Sequence, residues 1–333
     1  MGKKLSAILT VIAIEMWFTP SPASAQQSVP AEVGGPGRPS AEVLARGRYM
    51  IVTGHCNNCH TPGYQQSAGK APEKDWLTGR DIGHRGPWGT TYPANIRINV
   101  NKMSEAEWVA YASTLRARPG MPSWSLRDTH VEDLRAMYQF IKSLGPSDKP
   151  SRLPLPPGQE PQTLTIRVVP APKPAASPSA PGADQQRAGA DGNAPGARND
   201  GMLARGRYML VTGHCNNCHT ANYGASEGNV PDKDWVKGSP AGHRGAWGTT
   251  YATNLRTNVG IMTEAQWIAY AKAVRPRPPM PWWAVHETAV EDLRAMYQFI
   301  KTLGPAGEPA PASLPPDREP TPPYTQWPAI FPD

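Results

Sequence analysis

The chain is an internal tandem repeat, and this limits the folds open to it more than any other feature. Residues 44–161 align with residues 203–320 at a constant offset and without a gap, and about two-thirds of the positions between 44 and 146 are identical. Each repeat must therefore reach the same fold from the same local signals. A length of 333 residues allows about two domains of ordinary size, so we expect one domain from each repeat.

The composition argues against one large globule. The chain has 39 prolines and 31 glycines, and hydrophobic residues make up only 39% of it. Such a chain must contain much loop or linker. A single compact α/β enzyme is therefore not expected.

Two segments lie outside the repeats. Residues 1–25 begin with a basic pair, continue with a largely apolar run from Leu5 to Phe18 and end in Ala-Ser-Ala, which is the pattern of a cleaved secretory signal. The apolar run of about 14 residues is shorter than the roughly 20 needed to span a bilayer. Residues 170–199 are mostly Ala, Pro, Gly, Ser and Gln, a composition typical of a flexible linker. The sequence therefore predicts an exported, periplasmic protein with a signal at 1–25, domains at 40–169 and 200–333, and a linker at 170–199.

The helical signals recur in both repeats. In the first repeat, a helix is predicted from about Ala41 to Thr53 with Ser40 as its N-cap. Gly47 within this helix would let another helix approach closely. A middle helix is predicted to begin at Ser104 and carries aromatic residues at helical spacing.

A last helix completes the predicted set. Thr129 and Glu132 have the spacing of a capping box at its start. The long segments between the helices are rich in Gly, Pro and Asn and carry no strong strand signal. The predicted fold is therefore mostly α, with two small helical domains in tandem and long loops wrapped around something large at the centre of each.

Each repeat contains the same C-x-x-C-H stretch, which is the attachment pattern of c-type haem. The motif residues are Cys56, Cys59 and His60 in the first repeat and Cys215, Cys218 and His219 in the second. Cysteines three apart on a helical turn lie on one face, so both can form thioethers to one haem, and the following histidine can bind the iron. Zinc sites and thiol redox pairs also use C-x-x-C, but the chain has no other cysteine to complete a zinc site. The sequence predicts two covalently bound haem c groups.

The iron of each haem needs a sixth ligand or an open position. Met121 and Met280 lie in proline-flanked loops just before the last helix of each repeat, where the prolines hold the backbone extended. We expect these methionines to be axial iron ligands opposite the motif histidines. The alternative is His84 and His243, each in Gly-His-Arg-Gly, which would give bis-histidine iron; their other possible role is a hydrogen bond to a haem propionate.

Further paired residues are candidates for contacts around the haems or with a partner. Tryptophan, arginine and tyrosine pairs could donate to propionates or belong to the core: Trp88 and Trp247, Arg85 and Arg244, Tyr92 and Tyr251. Four arginines beside the Met loops could form a basic docking rim or be ordinary solvated charges: Arg116, Arg118, Arg275 and Arg277. His55 and His214 precede the first cysteine of each motif and are expected to face away from the iron.

The order of these features resembles class I c-type cytochromes in tandem. Asn95-Ile96, the tryptophan on the middle helix, the Met-Pro loop and the Leu-Gly-Pro ending look similar to cytochrome c subunits of bacterial alcohol and sugar-acid dehydrogenases. The resemblance implies a mostly α-helical fold around each haem and one-electron transfer between Fe(III) and Fe(II). It also implies the axial ligands: His60 and His219 on the proximal side, Met121 and Met280 on the distal side.

With both irons ligated by His and Met, no position is open to a substrate, so we expect an electron carrier and not an enzyme. Its partners would be redox proteins: a dehydrogenase as donor and an oxidase or small cytochrome as acceptor. A net charge of +7 suits an acidic protein partner or a membrane surface. Nucleic acid is not expected outside the cytoplasm, and no segment after the signal is long and apolar enough to span a membrane. The alternative is a dihaem cytochrome c peroxidase, which needs unequal haems, whereas the match of the repeats through the Met loop predicts equivalent ones.

Overall fold

The computed structural model describes residues 39–171 and 198–331. The predicted signal and most of the predicted linker, residues 172–197, lie outside the described residues. Helices of the first repeat are α1 (Ala41–Thr53), α2 (Cys56–His60), α3 (Ile96–Asn101), α4 (Glu105–Thr114), α5 (Ser123–Arg127) and α6 (Val131–Ser143). Helices of the second repeat are α7 (Arg198–Thr212), α8 (Cys215–His219), α9 (Leu255–Gly260), α10 (Glu264–Ala273), α11 (Trp282–Glu287) and α12 (Val290–Thr302). The strands are β1 (Gly83–Gly86), β2 (Gly89–Thr91), β3 (Thr165–Val169), β4 (Gly242–Gly245), β5 (Gly248–Tyr251) and β6 (Tyr324–Gln326).

Helix α1 has the bounds and the N-cap that the sequence predicted. Ser40 Oγ accepts a hydrogen bond from the backbone N–H of Val43 at 3.3 Å, which satisfies one of the free N–H groups of the first turn. Gly47 lies where α1 crosses α6, and a Cβ at this position would be 2.0 Å from the carbonyl oxygen of Ala136. The close helix approach predicted at Gly47 is therefore confirmed.

The predicted capping box at the start of the last helix is wrong. Helix α6 begins at Val131 with no side-chain cap, and Thr129 Oγ1 instead donates to the carbonyl oxygen of Ser125 at 2.9 Å. The preceding helix α5 leaves that carbonyl unpaired at its C-terminal end, so it takes the hydroxyl. A capping box is present at the start of α4, where the side chains of Ser104 and Glu107 each bond the other's backbone N–H.

The structure also contains a β-sheet that the sequence pattern did not predict. Six strands of the described residues pair in the order β2-β1-β3-β6-β4-β5. The central pair, β3 and β6, comes from the C-terminal tails of the two repeats and is antiparallel, with Val168 opposite Thr325. Each tail strand also runs parallel to a strand of its own repeat, β3 to β1 and β6 to β4. The fold is therefore mostly helical with one mixed sheet shared by both repeats.

The two repeats pack directly against each other through matching contacts. Tyr49 Oη donates to Asp292 Oδ2 at 2.5 Å, and Tyr208 Oη donates to Asp133 Oδ2 at 2.5 Å. Each aspartate also accepts two hydrogen bonds from an arginine of the first helix of its own repeat. These reciprocal contacts relate the repeats by an approximate two-fold axis. They fix the relative orientation that the linker composition leaves open.

The core supports both repeats. One cluster of buried apolar side chains continues from the first repeat into the second. Trp76 packs on Phe140 with ring centroids 6.1 Å apart, and Trp235 packs on Phe299 at the same separation. Across residues 39–171 and 198–331, no helix is both long and apolar enough to cross a membrane.

Candidate functional site

The two C-x-x-C-H motifs form the short helices α2 and α8. Each helix follows a histidine in the left-handed conformation, His55 and His214, both with φ of 58°, so the chain turns sharply before the first cysteine. Thr61 Oγ1 donates to Asn57 Oδ1 at 2.7 Å and accepts from the N–H of Leu77 at 2.9 Å. The same bonds recur in the second repeat. The motif turn is therefore held rigidly against the loop that follows it.

All four cysteines of the chain lie in these motifs and are free thiols. Burial raises the pKa of Cys56 and of Cys215 to about 12, and that of Cys218 to about 11. Redox-active cysteines have the opposite environment, which lowers the thiol pKa. Within the described parts of the chain, no group of three or more His, Cys, Asp or Glu residues is arranged to hold a metal ion. The surroundings fit thioether attachment better than a redox pair or a zinc site.

The motif histidines have one defined ring orientation. His60 Nδ1 lies 2.7 Å from the carbonyl oxygen of Ala94, and His219 Nδ1 lies 2.8 Å from that of Thr253. Because a carbonyl oxygen only accepts, Nδ1 carries the proton and Nε2 keeps its lone pair for a metal. Burial lowers the pKa of both rings, so both are neutral at pH 7. This is the form in which histidine binds iron.

Both candidates for the sixth ligand lie in one region of the first repeat. Met121 is half-buried in the loop between α4 and α5, and the loop is tied to β2 by a hydrogen bond from Thr91 Oγ1 to the carbonyl oxygen of Pro119 at 2.7 Å. A Cβ at Gly120 would lie 2.8 Å from the Cβ of His84. Burial, and then the nearby charges of an arginine and of His60, lower the pKa of His84 to about 4. The loop that carries Met121 and the strand that carries His84 thus meet beside the motif.

The second repeat adds an observation about the histidine alternative. Trp327 Nε1 donates to His243 Nδ1 at 3.2 Å. Tryptophan can only donate, so Nδ1 is the acceptor and the neutral ring carries its proton on Nε2. In this form His243 is a hydrogen-bond donor and not a metal ligand. The contact favours Met280 over His243 as the sixth ligand of the second site.

Several buried N–H groups of the two repeats fit a bound group that carries carboxylates. Among the described residues, Trp88 Nε1, Trp247 Nε1 and two nitrogens of Arg80 are buried without a hydrogen-bond partner. Leaving such a donor unpaired costs about 1–3 kcal/mol, so these donors indicate acceptors supplied by a ligand. The propionates of haem c are acceptors of this kind. Together with the cysteines and the oriented histidines, the residues present fit haem c.

Other predicted haem contacts are engaged within the chain. Arg85 Nη1 donates to the carbonyl oxygen of Gln159 at 2.9 Å, and Arg244 Nη1 donates to that of Arg318 at 2.7 Å. Tyr92 Oη lies 3.2 Å from Thr163 Oγ1. These side chains hold the C-terminal tails against the first hairpin of each repeat.

The arginines beside the Met loops also have partners in the chain. Arg116 Nη1 lies 3.2 Å from Glu227 Oε2 of the other repeat. Arg275 stacks over Trp282 with its guanidinium 4.3 Å from the ring centroid. Arg277 donates to the carbonyl oxygen of Trp247. Three of the four rim candidates therefore already take part in packing.

The sequence did not reveal which residues of one repeat contact the motif of the other. Trp124 Nε1 donates to Asn217 Oδ1 at 3.1 Å, and Trp283 Nε1 donates to Asn58 Oδ1 at 3.0 Å. His55 and His214, expected to face away from the iron, contact each other with ring centroids 5.7 Å apart. The identity of these tryptophans and asparagines in both repeats is a signal in the sequence, but it does not name their partners.

Comparison with known proteins points to one kind of relative. No family model matches the sequence. The gluconate 2-dehydrogenase cytochrome c subunit of Pantoea cypripedii is 23% identical over 290 residues, covering 79% of this chain and 60% of that protein. The cytochrome c subunits of alcohol dehydrogenase (quinone) from Gluconacetobacter polyoxogenes and Komagataeibacter europaeus are each 23% identical over 298 residues, covering 79% of this chain and 56% of theirs. This chain thus spans less than two-thirds of the length of these relatives. Over most of its own length, the chain is similar to the cytochrome c subunits of bacterial gluconate and alcohol dehydrogenases.

Proposed function

We propose that this protein is a periplasmic dihaem c-type cytochrome that carries single electrons between a dehydrogenase and a terminal acceptor or oxidase. The orientation of His60 and His219 carries the proposal. In each repeat the ring is held by a backbone carbonyl at Nδ1, with Nε2 free, one residue after the second cysteine of a C-x-x-C-H motif. The similarity to cytochrome c subunits supports the electron-carrier role.

Eight residues of the chain would hold the two haems. The thiols that would attach the two haems are Cys56, Cys59, Cys215 and Cys218. His60 and His219 would bind the iron on one side, and Met121 and Met280 on the other. When bound, haem c supplies the Fe(III)/Fe(II) couple; the chain buries it, excludes substrates from the iron and presents it to a partner. The bond from Trp327 to His243 supports the methionine as sixth ligand.

The contact between the motifs suits a two-electron donor. The residues that precede α2 and α8 meet across the repeat interface, and a tryptophan from each repeat bonds an asparagine within the other repeat's motif. A dehydrogenase that oxidises its substrate by two electrons could therefore fill two neighbouring sites on one chain. Each site would then release one electron to the acceptor.

The test is the haem content and ligation of the exported protein. We expect a haem-linked mass of two haems per chain, a low-spin spectrum and the long-wavelength Met-to-iron band in the oxidised form. The double variant Cys56→Ala/Cys59→Ala is the matched control and should retain one haem. A chain without haem-linked mass, or one that binds zinc through its thiols, contradicts the proposal. High-spin iron that reacts quickly with peroxide would favour the peroxidase alternative.

A further inference from the structure

The two repeats differ at one buried charge beside the motif. Arg80 is 5% exposed, and its Nη1 donates to Gln65 Oε1 at 2.5 Å. The aligned residues of the second repeat are Ser239 and Gly224. A buried arginine with its amide partner is thus replaced by two small uncharged residues.

Arg80 lies next to the iron-binding part of its repeat. The preceding N–H, that of Gly79, donates to the carbonyl oxygen of His60 at 2.8 Å. Arg80 is therefore held one residue from a direct backbone hydrogen bond to the proposed iron ligand His60.

The second repeat lacks this charge. Ser239 Oγ accepts a hydrogen bond from the N–H of Ala241 at 3.2 Å and so closes its own loop. The position of Arg80 is therefore taken in this repeat by a small uncharged residue.

The guanidinium of Arg80 has donors to spare. Its Nε and Nη2 are buried and have no hydrogen-bond partner in the described part of the chain. Burial lowers its pKa, but arginine stays protonated in proteins. Burying a charge without a partner is unfavourable, so an anion is expected to bind beside this guanidinium. The fork of N–H groups matches a carboxylate, and a propionate is the carboxylate that a haem attached at Cys59 would bring.

We propose that Arg80 binds a propionate of the first haem and makes the first haem the site of higher reduction potential. This rests on the proposed function. Oxidised iron carries one more positive charge than reduced iron, so a fixed positive charge close by favours the reduced form. One electron then moves from the iron of the second repeat to the iron of the first, with no bond or proton changed. The preference for the first haem is on the order of tenfold, which is about 59 mV for one electron.

The test exchanges the charge between the repeats and follows both midpoint potentials by spectroelectrochemistry. Arg80→Ser should lower the higher potential toward the other and leave the lower one in place. The double variant Gly224→Gln/Ser239→Arg should raise the lower potential. Arg80→Lys keeps the charge and should retain most of the difference. Arg152→Ser is the matched control, because it removes the same charge from an exposed ion pair, with Arg152 Nε 2.8 Å from Asp81 Oδ1; both potentials should stay unchanged.

Each outcome decides the proposal. It is overturned if Arg80→Ser shifts neither potential, or if the Gly224→Gln/Ser239→Arg variant leaves the lower potential where it was. If Arg80→Ser does not attach haem, the Gly224→Gln/Ser239→Arg result alone decides, because that variant leaves the first repeat intact. Two haems per chain with potentials insensitive to these changes would defeat only this inference. A chain without two haems would defeat the proposed function itself.

Discussion

At the scale of single residues, the sixth ligand of each proposed haem site is either a methionine sulfur or a histidine nitrogen. In the first repeat, the loop of Met121 rests on His84, whose Nε2 is buried without a partner in the described residues. In the second repeat, Trp327 donates a hydrogen bond to His243 Nδ1, so the proton of the neutral imidazole is on Nε2. A neutral histidine with Nε2–H beside a methionine can donate a hydrogen bond to a propionate or to the sulfur. It would support the methionine ligand without competing for the iron.

Replacing one of the two methionines tests this division of roles. Met121→Ala should open the iron of the first repeat to carbon monoxide, because it removes the sulfur proposed as the sixth ligand, and should leave the iron of the second repeat closed. The carbon monoxide difference spectrum should then reach half the amplitude of a variant in which Met121 and Met280 are both replaced. His84→Gln is the control and should stay closed to the gas. Binding of the gas at both sites of the unmodified protein would contradict the ligand assignment.

The residues whose roles could be predicted from the sequence act within a few positions of one another. The cysteines and His60 form one helical turn, and that spacing alone indicates haem attachment. The partner of His60, the carbonyl of Ala94, is 34 residues away, and no local pattern marks a carbonyl. Arg80 belongs to no sequence motif. Its importance follows from its burial and from the lack of an acidic partner among the described residues, and both are visible only in the structure.

At the scale of elements, the crossing of the first and last helices sets the shape of each repeat. Gly47 meets the carbonyl of Ala136 in the first repeat, and Gly206 meets that of Ala295 in the second at an almost equal distance. The backbones approach so closely that a side chain has no room. The close packing of these two helices therefore requires a glycine at the crossing point.

A methyl group added at this crossing should weaken the fold. Gly47→Ala would place a Cβ 2.0 Å from a backbone oxygen, so one helix must shift, at a cost of about 1–3 kcal/mol or more. The free energy of unfolding in urea measures this loss. Gly201→Ala in α7 is the matched control, because no atom of the residues that the structure describes lies within 4 Å of a Cβ placed there; this substitution should stabilise the fold by up to about 1 kcal/mol. Equal effects of the two substitutions would contradict the crossing.

Helices could be predicted from the sequence more readily than strands. The start of α1 is marked by Ser40, and that of α4 by Ser104, through bonds that span three residues. Strand β1 reads Gly-His-Arg-Gly and has no alternation of apolar residues. Its pairing with β3 joins residues about eighty positions apart, so only tertiary contacts reveal it. The capping box predicted at Thr129 does not form, because the hydroxyl of Thr129 donates to the carbonyl oxygen of Ser125 in helix α5.

At the scale of the whole molecule, the repeats are joined by two identical three-residue networks. Tyr49 of one repeat and Arg205 of the other share Asp292. Tyr208 and Arg46 share Asp133 in the same way. Each network couples the helix pair of one repeat to the first helix of the other. The interface is therefore polar and specific as well as apolar.

Removing the two phenolic hydroxyls should uncouple the repeats. In Tyr49→Phe/Tyr208→Phe each aspartate loses a hydrogen bond worth about 1.5–3 kcal/mol, and the calorimetric transition should fall in temperature and separate into two. Tyr138→Phe is the control, because Tyr138 Oη bonds Met103 within one repeat; its transition should stay single. A single transition at the original temperature in the double variant would show that the network adds nothing to the interface.

The same networks predict that the folded protein loses stability at acidic pH. Although burial raises the pKa of Asp133 and Asp292, the hydrogen bonds from arginine and tyrosine outweigh it, and the net pKa of each carboxyl is lowered. Their contribution is present above the unfolded pKa of 3.8 and is lost as the pH falls through the folded value. The melting temperature should be flat above about pH 5 and fall below about pH 4. In Asp133→Asn the melting temperature should fall less steeply at acidic pH. An unchanged pH dependence of the melting temperature would contradict the role of the two aspartates.

The sequence predicted two repeats but not the way they meet. The offset alignment shows the duplication, and the composition of residues 170–199 indicates a linker. Which face of one repeat touches the other depends on pairs such as Trp124 and Asn217, which are separated along the chain and carry no mark of their pairing. Those pairs are visible only once both repeats are folded together.

The central pairing of β3 with β6 has a consequence for the history of the chain. An interface in which each half gives the other the same residues is the isologous contact of a symmetric dimer, so two free copies of a single-repeat ancestor would meet in this way. Fusing the copies into one gene removes the requirement that both halves stay alike. Arg80 aligns with Ser239 of the second repeat, and two identical subunits could not differ in this way. Such a difference can make electron flow directional in an otherwise symmetric molecule.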